Sequence, residues 1–182
     1  MGGLASIKVP VELFALAESS HFEGTYNSEP LQVGPDTYAF DTDIAWSVDV
    51  TNTGEALLVM GTCSARATTS CARCLEDVVY DLEGQIDGYF LINEDSVVPE
   101  DMGEDEMQVL PADHIIDIRP LVNVAFMMDL DDVPLCRDDC AGLCPNCGAN
   151  LNEGPCGCGE DADLAQFEKA ANPFAALAGF KF

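Results

Sequence analysis

The chain of 182 residues carries 33 acidic residues against 7 Lys and Arg, and its formal net charge is −26. Such a surface repels phosphate backbones and anionic lipid, so non-specific binding to nucleic acid or membranes is not expected. A basic partner, for example a ribosomal protein, is electrostatically easier, unless the acidity serves only solubility. A hydrophobic content of 48 % is that of a globular protein, and the length fits a single domain, 1–182.

The cysteine content agrees with a reducing compartment. No run of 18 apolar residues occurs, and residues 1–10 lack the apolar core of a signal peptide. We therefore expect a cytoplasmic protein without a membrane partner, in which thiols stay reduced. The odd number of nine cysteines fits a closed disulfide framework poorly, so metal ligands are the favoured role.

The first part of the chain, residues 1–92, is predicted to be rich in β-strands. Alternating apolar residues favour an edge strand at 7–13, where Pro10 lacks a backbone donor. Residues 15–37 contain many turn-forming residues. We expect a loop there, with one short strand at Leu31–Val33.

The clearest strand pattern covers residues 38–50. Apolar side chains occupy its even positions and acidic side chains several of its odd ones, which predicts one buried face and one solvated acidic face. A turn at 51–54 leads into a second apolar pattern at 55–70. Two strands joined by a short Asn/Gly turn predict a β-hairpin.

The β pattern is interrupted at Cys71–Cys74, where a knuckle-like turn is expected. Apolar residues at even spacing then predict a further strand over 78–92, with Gly84 and Gly88 as points where it bulges or bends. Together these strands predict an antiparallel β meander or a partly closed barrel.

The second part of the chain adds helices to this sheet, so the expected fold class is α+β. Residues 93–109 form an acidic linker without nearby basic partners. Residues 110–135 predict a short strand and one apolar helix, with Asp117 as its cap and Pro120 in its first turn. Residues 160–182 predict a C-terminal helix.

Between these helices, residues 136–159 hold six of the nine cysteines. Cys144 and Cys147 are separated by two residues, a spacing that turns both sulfur atoms towards one centre. Cys156 and Cys158 form a tighter pair with glycine between and after them. These four thiols predict a C-terminal zinc knuckle with Zn²⁺ as a structural cofactor.

Two further pairs remain, Cys71 with Cys74 and Cys136 with Cys140. Together they could form a second four-cysteine site that fastens the β-rich part to the knuckle. The alternative is one shared site that uses Cys136 or Cys140 and leaves the other thiols free. A zinc ion with four cysteine ligands has no open position for water, which favours a structural role. Because no catalytic constellation stands out, we expect neither an enzyme nor a small-molecule substrate.

The order of these motifs resembles the YceD family. The resemblance rests on Cys71-Ala-Arg-Cys74-Leu-Glu, on Ile116-Asp-Ile before an apolar helix, and on the string C-x₃-C-x-G-L-C-P-x-C-G that begins at Cys136. The closing Asn172-Pro-Phe is similar to the tail of that family, where Asp-Pro-Arg is commoner. The resemblance covers nearly the whole chain from about residue 7.

The resemblance implies a non-enzymatic bacterial protein of the cytoplasm, needed for accumulation of 23S ribosomal RNA and for large-subunit assembly. Its partner would be ribosomal RNA or a basic ribosomal protein. Arg66, Arg73 and Arg137 are the bases near the cysteine motifs and the candidates for that contact, unless they only neutralise local acids. The alternative function is a cytosolic thiol–disulfide or metal-handling protein that uses the Cys-x-x-Cys pairs.

Overall fold

A computed structural model describes residues 5–15, 17–93, 103 and 107–158. This part of the chain forms nine strands, a 3₁₀ helix at Val11–Phe14 and one α-helix, α1 (Arg119–Asp129). The strands are β1 (Ser6–Lys8), β2 (Ser19–Tyr26), β3 (Leu31–Val33), β4 (Asp36–Phe40), β5 (Ile44–Asn52), β6 (Ala56–Ser70), β7 (Asp77–Leu91), β8 (Met107–Val109) and β9 (Ile115–Asp117). No helix in these ranges is long and apolar enough to span a membrane.

Strand β6 is the centre of a seven-stranded sheet. It pairs with β7 along its whole length on one side, and with β5 and β4 on the other. β2 continues the sheet beyond β5, β3 beyond β4, and β8 runs parallel to β7. Among the described residues no ladder joins β2 to β7 or β8, so the sheet is open and the barrel expectation is wrong. The predicted antiparallel sheet with one helix is confirmed.

One face of the sheet is buried under α1 and the separate β1–β9 ladder. The period of two places every second side chain of β5, β6 and β7 on this face. Its fully buried members pack with side chains of α1 and of the 3₁₀ helix. The largest of this core are Tyr38, Phe126, Ile7, Leu13, Ile44, Leu57, Leu82, Ile86, Ile116, Ile118, Val48 and Val50.

Gly84 and Gly88 are not bulges, contrary to the expectation from the sequence. Both lie in regular register on β7, opposite Cys63 and Val59. A Cβ on Gly84 would lie 2.7 Å from the Cβ of Ala125 in α1, and one on Gly88 would lie 2.8 Å from Leu121 Cδ1. The two glycines therefore allow the helix to approach the sheet closely.

The opposite face of the sheet is exposed and polar. The odd positions of β2, β5 and β7 and the even positions of β6 point to this side, and most of them are exposed. We call this surface the open face. Its acidic residues agree with the solvated acidic face that the alternation in 38–50 predicts.

Three strand predictions need correction. The predicted edge strand at 7–13 divides into β1 and the 3₁₀ helix. The strand predicted over 38–50 divides into β4 and β5. Their pairing with β6 is interrupted between Phe40–Ala67 and Ala45–Ser64, where residues 41–44 stand opposite only two residues of β6. β2 forms in a region that is predicted to be a loop. Its side chains are mostly polar, so the sequence shows no apolar strand pattern there, and backbone pairing with β5 places it in the sheet.

The remaining elements follow the sequence in part. Pro120 lies in the first turn of α1 as predicted, but the N-cap is Ile118 and not Asp117. Asp117 precedes the cap, and its carboxylate accepts a hydrogen bond from the backbone N–H of Arg119 at 3.0 Å. β8 forms the end of the predicted acidic linker, 93–109, most of which lies outside the described residues. The C-terminal helix predicted at 160–182 also lies outside them.

Candidate metal centres

The first candidate centre joins the end of the β6–β7 hairpin to the segment after α1. We call Cys71, Cys74, Cys136 and Cys140 the inner cluster. Their sulfur atoms all lie within 4.8 Å of one another. The Sγ atoms of Cys71 and Cys140 are 3.8 Å apart, and those of Cys74 and Cys136 are 3.5 Å apart. Three of the four thiols are buried and Cys136 is half-buried.

Backbone contacts hold the two halves of the inner cluster together. The backbone N–H of Cys71 donates to Glu76 O at 2.7 Å, which closes the turn between β6 and β7. Arg73 links this turn to the other half, because its Nη1 donates to the carbonyl of Cys140 at 3.1 Å. Its own carbonyl accepts from the N–H of Leu143 at 3.1 Å. Arg73 is therefore engaged in the fold of the cluster.

The second candidate centre, the outer cluster, consists of Cys144, Cys147, Cys156 and Cys158, whose sulfur atoms also lie within 4.8 Å of one another. Cys144 is buried, Cys147 is exposed, and the other two are half-buried. The first knuckle is closed by the N–H of Gly148, which donates to Cys144 O at 2.8 Å. Gly148 has a φ of 73°, a left-handed conformation that glycine adopts without strain.

Two asparagines connect the outer cluster to the inner one. Asn152 Nδ2 lies 3.3 Å from the sulfur of Cys140 and donates to it, and Asn152 Oδ1 accepts from the N–H of Ala141 at 2.8 Å. Asn150 Nδ2 donates to Glu76 Oε1 at 2.8 Å. Reasoning from cysteine spacing missed both roles. Nothing local marks an asparagine as a partner for sulfur until the fold brings the two together.

A sequence profile described as large ribosomal RNA subunit accumulation protein YceD matches residues 59–181, a range that contains all eight clustered cysteines. The chain belongs to the YceD family. The resemblance inferred from the motifs is thereby confirmed, and the match begins within β6, so β1–β5 lie before it.

Curated relatives extend the similarity but carry no assigned function. Uncharacterized proteins of Mycobacterium tuberculosis and Mycobacterium bovis are each 32 % identical over 148 residues, which cover 80 % of this chain and 67 % of the relative. An uncharacterized protein of Mycobacterium leprae is 31 % identical over 102 residues, 56 % of this chain and 46 % of the relative. No solved structure matches.

Both clusters of this YceD-family chain could hold a metal ion. Sulfur bonds of about 2.3 Å to a tetrahedral zinc ion give sulfur–sulfur edges of about 3.8 Å. The distances of 3.5 and 3.8 Å within the inner cluster match such edges. Four soft donors suit zinc or another thiophilic cation and not calcium or magnesium, which prefer oxygen.

The thiols of each cluster differ in acidity. Burial opposes ionisation of Cys71, but backbone N–H groups of Cys74, Cys136 and Arg73 outweigh it and lower its pKa to about 6. The N–H groups of Cys147 and Asn146 lower the pKa of Cys144 to about 6. Hydrogen bonds with the neighbouring thiols of Cys147 and Cys156 raise the pKa of Cys158 to about 12. The pKa of Cys140 is also lowered, chiefly by the hydrogen bond from the side chain of Asn152. Each cluster thus combines thiols of lowered and of raised pKa, and a bound cation would favour the thiolate form of all four.

The structure does not bring the three candidate arginines into one patch. Arg66 lies on the open face, where its Nε donates to Asp81 Oδ1 at 2.7 Å and lowers the pKa of that carboxyl. Arg137 Nε lies 3.6 Å from Asp139 Oδ1. Arg73, at the inner cluster, donates to backbone carbonyls. Each base therefore has a local partner.

Proposed function

We propose that this YceD-family protein is a non-enzymatic ribosome-biogenesis factor that supports 23S ribosomal RNA accumulation and large-subunit assembly, with two structural zinc ions. The observation that carries the proposal is the pair of four-cysteine clusters inside the matched region. They fasten the hairpin end, the segment after α1 and the C-terminal knuckle to one another. Family membership supplies the ribosome-related role.

Zinc fits the clusters because each supplies four sulfur donors. A complete set of four protein ligands leaves no position for a substrate or an activated water, which supports a structural ion and a non-enzymatic protein. The proposal includes a cytoplasmic location, since a reducing compartment keeps these thiols available to the metal. All nine cysteines are free of disulfides.

The net charge of this protein is −26, and Arg66, Arg73 and Arg137 each have a local partner. Direct binding to RNA phosphates is therefore electrostatically unfavourable. A basic ribosomal protein suits this charge better, and its assembly would then protect the RNA indirectly.

Two measurements test the proposal. Elemental analysis of the purified protein should give two zinc ions per chain, and one after Cys144→Ser with Cys147→Ser. In the source bacterium, deletion of the gene should lower the ratio of 23S to 16S ribosomal RNA, and the intact gene should restore it. A normal ratio in the deletion strain would overturn the ribosomal role, whereas a metal content of one or zero would overturn the two-zinc assignment.

One observation favours the alternative, a thiol–disulfide or metal-handling protein. Cys147 is exposed, and it forms a Cys-x-x-Cys pair with Cys144, whose pKa is lowered to about 6 by the backbone N–H groups of Cys147 and Asn146. Such a pair can exchange metal or disulfides with a partner. Rapid alkylation of Cys147 in the zinc-loaded protein would support this function, whereas modification only after chelation supports the structural role.

A further inference from the structure

The open face carries a groove that the cysteine clusters do not explain. It has a volume of about 660 Å³ and crosses β2, β5, β6 and β7 at the middle of the sheet. From each strand it takes three consecutive residues, of which the outer two point to the open face. The side chains that β2, β6 and β7 contribute from this face are exposed. The groove is therefore a solvent-facing surface, separate from the core beneath α1.

Strand register orders the groove into two rows of side chains. In the first row Glu23 pairs with Ser47, Ser47 with Thr62, and Thr62 with Gln85. A carboxylate thus stands at the β2 end, hydroxyl groups lie in the middle, and an amide stands at the β7 end. Because the hydroxyl side chains in the middle are short, the surface is lower at the centre of the row than at its two ends.

In the second row, the carboxylate stands at the opposite end from that of the first. Thr25 pairs with Ala45, Ala45 with Ser64, and Ser64 with Glu83. Its carboxylate stands at the β7 end, so the acids of the two rows occupy opposite ends of the groove. Small side chains between them form a floor on which a backbone can lie.

The surrounding open face is also acidic. Asp49 and Asp87 belong to the next row, on the β2 and β7 sides of Met60. Arg66 is already paired with Asp81 at 2.7 Å, and His21 lies 2.9 Å from Asp49 Oδ1 and 3.9 Å from Glu23 Oε2. The groove therefore attracts cations and repels phosphate, which selects a basic polypeptide over a nucleic acid.

We propose that this groove binds an extended polypeptide segment with two basic residues four positions apart. Strands lie about 4.8 Å apart, so the three spacings from β2 to β7 cover about 14 Å. Because Glu23 and Glu83 stand in different rows, two residues apart along the strands, the diagonal between them is about 16 Å, and the long side chains of Arg or Lys cover the difference. An extended chain rises about 3.3 Å per residue, so four residues cover about 13 Å and residues i and i+4 point to the same side. Their charges reach Glu23 and Glu83, and the small residues between them lie over the floor.

The identification of this segment with a ribosomal protein rests on the proposed function, but the binding itself is measured without it. The probe is a fluorescein-labelled peptide, Gly-Arg-Ser-Gly-Ser-Arg-Gly, titrated with the zinc-loaded protein at low salt and followed by fluorescence anisotropy. We expect the variant Glu23→Gln with Glu83→Gln to bind about tenfold more weakly, since two exposed ion pairs are lost. Added salt should weaken binding to the wild type.

Matched controls separate the groove from overall charge. Glu12→Gln with Asp132→Asn removes the same charge at exposed positions outside the open face and should change the dissociation constant less than twofold. The peptide Gly-Ser-Arg-Arg-Gly-Ser-Gly has the same composition with adjacent arginines, and it should bind several-fold more weakly. Ser64→Arg places a positive charge in the floor and should abolish binding, with circular dichroism confirming that the variant folds.

Three results would overturn the groove. The first is that Glu12→Gln with Asp132→Asn weakens peptide binding as much as Glu23→Gln with Glu83→Gln does. The second is that the two peptides bind with the same dissociation constant. The third is that the wild type binds a 12-nucleotide oligouridine and the Glu23 and Glu83 variant does not. None of these affects the ratio of 23S to 16S ribosomal RNA in the deletion strain. Failure of the groove and failure of the proposed function are therefore distinguishable.

Discussion

The sheet body and the cysteine region of this protein are stabilised by different means. The body buries a continuous apolar core between the sheet, α1 and the β1–β9 ladder. The cysteine region has only a small buried cluster of Cys71, Cys74 and Cys140, with a few partly buried neighbours. Hydrophobic burial is proportional to the apolar area removed from water, so it suffices for the body. The cysteine region depends on its sulfur contacts instead.

Metal removal should separate the two regions most strongly. A structural zinc site in a small module contributes about 10 kcal/mol or more to folding at neutral pH. We expect chelation, or Cys71→Ser with Cys74→Ser, to make the chain after residue 133 sensitive to protease while the sheet body stays folded. Limited proteolysis with mass spectrometry measures this. Cys63→Ser is the control, because Cys63 is buried under the helix and belongs to neither cluster.

The body should respond most to loss of a large core side chain. Phe126 is fully buried in α1 and its ring lies 5.9 Å from that of Phe40. Phe126→Ala should lower the free energy of unfolding by about 3–5 kcal/mol, measured by urea denaturation, with unchanged zinc content. Met128→Ala on the same helix should change it by less than about 0.5 kcal/mol, since Met128 is 83 % exposed. Loss of zinc from the Phe126 variant would show that the two regions depend on each other.

The contact between the clusters should have an intermediate effect. Asn152→Ala removes the hydrogen bonds to Cys140 Sγ and to the N–H of Ala141, which together stabilise the junction by about 1–2 kcal/mol. We expect zinc transfer to a chelating dye to become several-fold faster. Asn146→Ala, an exposed position of the outer cluster, should leave the rate unchanged. Equal rates in both variants would show that the clusters are energetically independent.

The smallest expected effect concerns the start of α1. The side chain of Arg119 donates to Asp117 and lowers the pKa of that carboxyl below its usual 3.8. A carboxyl whose pKa is lower in the folded state than in the unfolded state stabilises the fold at pH values above its unfolded-state pKa. This contribution is lost as the pH falls through the folded-state pKa. Asp117→Asn should cost about 0.5 kcal/mol at pH 7. Urea denaturation in chelator should show this difference shrinking at pH 3, and a constant difference would contradict the ionic origin.

The sequence predicts the strands that have a clear apolar alternation. It misses those whose place in the sheet is set by backbone hydrogen bonds. β5 and β7 are amphipathic, so alternation places most of their buried residues correctly. β2 has polar residues along most of its length, and its place in the sheet depends on hydrogen bonds to β5. Gly84 gives no local sign that a helix packs on it, because Ala125 is 41 positions away in the chain.

The candidate centres were more predictable than the fold. Close spacing restricts two thiols to one centre, so each pair is visible as a motif. The joining of Cys71 and Cys74 with Cys136 and Cys140 was one of two alternatives, and the structure brings these four together. The contribution of Asn152 depends on a turn that places its amide against sulfur, and no spacing rule expresses such a contact.

The inner cluster has a topological consequence for the chain it encloses. Cys74 and Cys136 are 62 positions apart and their sulfur atoms are 3.5 Å apart, so a metal ion bound to both would close β7, α1 and the residues between them into one ring. The entropy of closing a flexible ring grows only with the logarithm of its length, by about 0.6 kcal/mol per doubling. Insertions in the ring should therefore leave the centre intact, and members of the family are free to differ in length between β7 and β9.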